Sequence, residues 1–257
     1  MLWRVLVAVL VLTIVAFVFK EELFDIALGP AHDNFITYRL LQRAAEMTGT
    51  AIDSSFSVQL INTGLARQFM IHMQTAFAAG VICASPYILY QLFMFIVPAL
   101  YARERRYAVS CAGSGYIMFM VGVAASYFLI FPLTFRFLGT YQVAESVINM
   151  ISLDSYMSTL AVMSLTLGVV FEMPVVSWVL ARLGMIQASA LRKVRRHAIV
   201  VIVIAAAIIT PTSDAFTLLI VALPMWLLYE FSILVVAATR KAPEDAPEEG
   251  GMAQTAS

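Results

Sequence analysis

The chain predicts an all-α integral membrane protein with six transmembrane helices and both termini in the cytoplasm. Three observations carry that prediction. Of 257 residues, 61% are hydrophobic and 12% charged, with a mean hydropathy of +0.88, well outside the composition of an ordinary soluble domain. The apolar residues fall in long runs broken by short charged connections, and the lysines and arginines crowd into alternate connections, the asymmetry that sets orientation in a bilayer. The formal net charge is zero, which gives no argument for a nucleic-acid or other strongly charged partner.

A crossing helix needs about 20 mostly apolar residues. The first candidate is Trp3 to Phe19. No A-x-A-like cleavage site follows it and it is long for the apolar part of a signal peptide, so it reads as a retained span. Next come Phe69 to Tyr90, Tyr107 to Phe131 and Tyr156 to Leu183. The fifth, Ala198 to Ile209, is short, and "TPTSD" at Thr210 to Asp214 leaves little room before the sixth, Phe216 to Ala238. Those two are expected to form a tight hairpin. The membrane domain thus covers 1–238. Its long outer loop, 20–68, contains "ITYRLLQRAAEM", whose spacing fits an amphipathic helix lying on the membrane or capping the bundle. The tail, 239–257, combines Pro, Gly and Glu with almost nothing apolar and is expected to be disordered.

With the N-terminus inside, the cytoplasmic face receives Arg4, Arg103, Arg105, Arg106, Arg182, Arg192, Lys193, Arg195, Arg196, Arg240 and Lys241. The other face keeps Lys20, Arg39, Arg43, Arg67 and Arg136. Cys83 and Cys111 lie in apolar runs without CxxC or Cys/His spacing and read as small buried side chains. No internal repeat is visible, which weighs against transporters built from duplicated halves. Gly80 and Ala84 form a small-xxx-small pair that permits close helix approach.

Catalytic signatures are missing: there is no HExxH, GxSxG or GxxxxGK[ST], and His32, His72 and His197 are widely separated. The chain therefore reads as a non-enzyme without a cofactor. Two acids stand out. "GVVFEMPVV" sets Glu172 near the middle of the fourth span, where insertion of an ionisable residue costs about 2.5 to 3.5 kcal/mol. It is either a structural acid hydrogen-bonded to a neighbouring helix or a polar point facing a recess or partner helix. Pro174, two residues on, can kink the helix and help form such a recess. Glu230, toward the cytoplasmic end of the sixth span, is as well explained by pairing or snorkelling as by function. Glu104 sits alone among Arg103, Arg105 and Arg106. It is either their surface ion-pair partner, worth about 0 to 1 kcal/mol, or a carboxylate offered to an incoming guanidinium.

The strings "SPYILYQLFMFIVPALYARERRYA", "GVVFEMPVV", "LRKVRRHAIVVIVIAAAIITP" and "ALPMWLLYEFSI" closely resemble the TatC family, the core subunit of the twin-arginine protein translocase. The resemblance runs from about Phe69 to Val235, and Pro86, Phe95, Pro98, Glu104 and Arg105 stand in its register. It implies a cup-like bundle with short fifth and sixth helices in a bacterial-type inner membrane. It implies recognition of signal peptides bearing two consecutive arginines on folded cargo, assembly with TatA-type and in many organisms TatB-type single-span partners, oligomerisation within that complex, and transport driven by the proton motive force. Carried over by residue, Glu104 contacts the twin arginines, with Phe95 and Arg105 in the adjoining surface. Glu172 becomes the intramembrane acid facing partner helices, and Thr210 and Asp214 lie near a partner-docking turn. Pro86, Pro98 and Pro174 are structural. The family's amino-terminal His-Leu-x-Glu-Leu-Arg-x-Arg element aligns only at its end with "MLWR". The native protein is therefore expected to begin upstream of Met1, in a segment that supplies a second acid. The outer loop reads "INTGLARQF" where the family often has Pro-x-Glu. A proton-coupled secondary transporter using Glu172 is the competing reading.

Overall fold

The computed structural model describes residues 2–32, 34–48, 60–62, 64–96, 105–141, 150–210 and 214–239. The tail from 240 onward, with most of the expected disordered segment, lies outside these. Helices dominate, and their order follows the apolar runs: α1 Leu2–Val18, α2 Lys20–Leu28, α3 Ile36–Thr48, α4 Arg67–Ile96, α5 Arg105–Ala125, α6 Phe131–Thr140, α7 Leu153–Val170, α8 Met173–Arg182, α9 Ala188–Lys193, α10 Arg195–Ile209 and α11 Ala215–Thr239.

Four spans are long and apolar enough to cross a membrane: Arg67–Met94, Cys111–Thr140, Leu153–Arg182 and Ala215–Thr239. A fifth arises if α1 is taken with the segment to Arg43, into which it bends by 87°. Against the six crossings expected, length and composition thus support four or five among the described residues. The fifth predicted span, α10, has 15 residues, about 22 Å at about 1.5 Å per residue, short of the roughly 30 Å of hydrocarbon.

Prolines decide the local shape. In α4, Pro86 cannot donate to the Ile82 carbonyl, and the Ser85 hydroxyl takes over that acceptor at 2.7 Å. Between α5 and α6 the rod continues through a π turn, Ser126–Ile130, just before Pro132. Pro132 likewise leaves the Phe128 carbonyl without its helical donor, and Thr37 of α3 donates its hydroxyl to it. Tyr38, 2% exposed, donates to the Pro30 carbonyl at 2.9 Å and to that of Pro132 at 3.3 Å. One proline-freed carbonyl, that of Phe128, and a set of tyrosine hydroxyls thus fasten the 20–48 region to the bundle, Tyr38 on the Pro132 carbonyl, Tyr127 on that of Ile26 at 2.6 Å and Tyr156 on that of Ala27 at 3.1 Å.

A second tie joins the loops at the same end. β1, Leu60–Ile61, pairs in parallel with β2, Ile151–Ser152, in the register Leu60 to Ile151 and Ile61 to Ser152. Ser152 then caps α7 by accepting the Ser155 N–H at 3.2 Å. Arg67 at the start of α4 pairs with Asp154 at 3.1 Å.

The main core centres on Ile130, Phe131, Tyr156, Met163, Leu167, Val221 and Ile233. α1 buries none of its own residues and lies along α4, where Gly80 abuts Thr13: a Cβ there would stand 2.8 Å from the Thr13 backbone N and Cα. Ala84 is buried, so the small pair does permit a close approach. Cys111 is buried as expected, but Cys83 is exposed. It lines an apolar cavity of about 580 Å³ with α1, α2, α5 and α7 residues, because that face of α4 is turned to open space between the helices rather than to the core.

Candidate functional site

The fourth predicted span is interrupted where its acid lies. Pro174 has no N–H to return to the preceding turn. Phe171 still donates to Leu167 O at 2.9 Å, Glu172 closes a tighter turn on Val169 O at 3.1 Å, and the helix resumes with Val176 N–H on Glu172 O at 2.9 Å. Glu172 therefore occupies the junction of α7 and α8, and Pro174 falls in the first turn of α8.

The Glu172 side chain is turned inward. The residue is 7% exposed, and neither carboxyl oxygen has a hydrogen-bond partner among the described residues. Room for it comes from α5, where a Cβ added to Gly115 would stand 3.0 Å from Oε2, 3.5 Å from Oε1 and 3.0 Å from the Phe93 ring. A small apolar cluster surrounds the place: Leu89 and Phe93 of α4, Cys111, Ala112 and Phe119 of α5, and Val175 and Val179 of α8. Beside it opens a recess of about 440 Å³ lined by Ser114, Met118, Pro174, Trp178, Phe231 and their neighbours. An unpartnered buried polar group costs about 1 to 3 kcal/mol. Glu172 is thus a group the fold bears at a cost, two residues from the Pro174 that lines this recess. Phe93 and Gly115 were missed in the sequence, where one reads as another apolar residue and the other as a helix-weakening glycine.

The remaining predicted residues fall elsewhere. Glu104 and Pro98 lie outside the described residues. Phe95 is in the last turn of α4 and Arg105 opens α5, their side chains lying outside the description. Pro86 is structural in the sense described for α4. Thr210 ends α10, its hydroxyl donating to Ala206 O at 3.0 Å, and Asp214 caps α11 by accepting the Thr217 N–H at 2.7 Å. Each serves its own helix, at the end of α10 and at the start of α11, and neither hydrogen-bonds Glu172 among the described residues. Glu230 pairs with Arg195 at 2.5 Å. No group of three or more His, Cys, Asp or Glu that could hold a metal occurs among the described residues.

Comparison with known proteins decides the family. The model of the Sec-independent protein translocase protein TatC matches residues 1–224. The chain belongs to the TatC family. The match reaches residue 1, well upstream of the Phe69 at which the resemblance by motif begins. TatC of a Blattabacterium from Periplaneta americana is 32% identical over 89% of this chain and 87% of its own length. TatC of Deinococcus radiodurans is 33% identical over 92% and 80% respectively. A crystal structure of the twin-arginine translocase receptor TatC superposes with a TM-score of 0.75 at 30% identity, covering 93% of this chain and 96% of that one. A second, in the detergent DDM, gives 0.74 at 31%. As a TatC-family member the chain is a multi-pass membrane component of a protein translocase and not an enzyme. Nothing in these comparisons supports the transporter reading of Glu172.

Proposed function

We propose that the protein is the receptor subunit of a twin-arginine translocase in a bacterial inner membrane. In this reading six helices form a cup with both termini cytoplasmic, α10 and the bent α1 completing the count. The family match over residues 1–224, joined to a superposition over nearly the whole chain, carries the reading. Glu104 accepts the signal's arginines because a carboxylate and a guanidinium match as a bidentate pair, with Phe95 and Arg105 flanking it. Glu172, unpartnered beside its recess, meets an apolar segment of the signal or a TatA-type or TatB-type helix, and Thr210 and Asp214 shape the turn near that docking site. Several copies assemble within the complex, and the proton motive force drives transport.

The test is photo-crosslinking from a twin-arginine signal peptide to the full chain in membranes. Glu104→Ala is expected to abolish the crosslink while membrane insertion continues, and Glu104→Asp to retain a fraction because the charge survives with shorter reach. A full crosslink in Glu104→Ala would leave Glu104 as no more than the ion-pair partner of its arginines.

A further inference from the structure

The connection from α8 to α10 carries the sequence Arg192, Lys193, Val194, Arg195, Arg196, His197, every one of them exposed. Arg195 is engaged by Glu230, and the Tyr229 hydroxyl donates to the Leu191 carbonyl at 2.7 Å, so this ridge is pinned to the flank of α11. Among the described residues no carboxylate pairs with Arg192, Lys193 or Arg196.

Two features of its placement say what covers it. Glu230 lies nine residues before Thr239, the end of α11, so the ridge is set back by about 14 Å at about 1.5 Å per residue. From it rises the face of α10 on which Val200, Val201, Ile204 and Ile208 are 55% to 79% exposed, an apolar wall. The cations therefore stand where a short helix leaves the hydrocarbon, beside a neighbour that continues past them. Val194, 47% exposed, is interleaved with them, as suits an interface with lipid better than one with an acidic peptide in water.

We propose that Arg192, Lys193 and Arg196 form a headgroup site for anionic phospholipid at the foot of α10. Phosphate oxygens accept from the two guanidiniums and the ammonium, while the acyl chains lie along the exposed wall. The competing occupant is the chain's own acidic tail, Glu244, Asp245, Glu248 and Glu249, which would have to turn back along α11 to reach the ridge.

Native mass spectrometry of the full chain, released from micelles containing phosphatidylglycerol or phosphatidylcholine, tests this without any signal peptide. Its outcome is thus separate from that of the receptor reading. The parent is expected to retain phosphatidylglycerol preferentially. R192Q/K193Q/R196Q is expected to lose that preference by roughly tenfold or more, on the order of 1 kcal/mol acting per basic residue near an anionic surface. Unchanged thermal unfolding in phosphatidylcholine micelles checks that the variant is folded. If it is not, the parent alone decides, since its preference must weaken as ionic strength rises. An equal preference in parent and folded triple variant, or one unmoved by salt, overturns the proposal. So does a preference that emerges only in E244Q/D245N/E248Q/E249Q, which would assign the ridge to the tail.

Discussion

Glu172 sets stability against function at the scale of one residue. Its carboxyl has no partner among the described residues, so Glu172→Leu, similar in size and apolar, is expected to leave thermal unfolding in detergent unchanged or raise stability by about 1 to 3 kcal/mol. Cargo export by the same variant is expected to be lost. A marked loss of stability would instead reveal a partner that the acid holds in place. Gly115 provides a graded probe of the same site: Ala adds a Cβ at 3.0 Å from both Oε2 and the Phe93 ring, a fit met by small shifts. Val is expected to displace the carboxyl and reduce export toward the level of Glu172→Ala, measured beside Gly115→Ala. The sequence singled out Glu172, because an acid within an apolar run is conspicuous. It was silent on Gly115 and Phe93, because what matters about them is which neighbour they face.

Among the elements, the fastening of the 20–48 region to the bundle rests on side-chain hydroxyls that serve backbone carbonyls, one of them freed by proline. Thr37→Val removes the donor to the Phe128 carbonyl, a part-buried hydrogen bond from a buried threonine. It is expected to destabilise by about 0.5 to 1.5 kcal/mol, the net contribution of one hydrogen bond, with Thr37→Ser restoring most of it. Arg67→Ala, which breaks the half-exposed pair with Asp154, is expected to cost less than about 1 kcal/mol. Chemical denaturation in detergent separates the two, and equal losses would mean that charge rather than proline geometry secures this end. Apolar length marked where the long helices run, and the amphipathic spacing of Ile36 to Met47 marked α3. The break at Phe171–Glu172 was legible in Pro174, whereas the π turn before Pro132 and the parallel pairing of Leu60 with Ile151 were not. Each depends on a partner distant in the chain or on which of several prolines bends its helix, and neither leaves a periodic trace.

For the whole molecule, the basic connections predict which face is cytoplasmic, a prediction that labelling tests. Single cysteines in a background lacking Cys83 and Cys111 are expected to be labelled by an impermeant reagent from outside at Asn62 and only from inside at position 104 or 193. Labelling of position 104 from outside would reverse the orientation. Composition and charge asymmetry made the membrane class legible, and the strings around Glu104 and Glu172 made the family legible. The short α10 shows why counting spans by length reaches four or five. The central claim, that this chain is a receptor for twin arginines, is tested most directly by binding of a fluorescent twin-arginine signal peptide to the purified full chain in lipid nanodiscs, beside the same peptide with two lysines. The account predicts that lysine, which cannot present the planar bidentate fork, binds at least about tenfold more weakly, a difference of about 1.4 kcal/mol, and that Glu104→Ala lowers the arginine peptide to the lysine level. Equal binding of the two peptides, unaffected by Glu104→Ala, would contradict it.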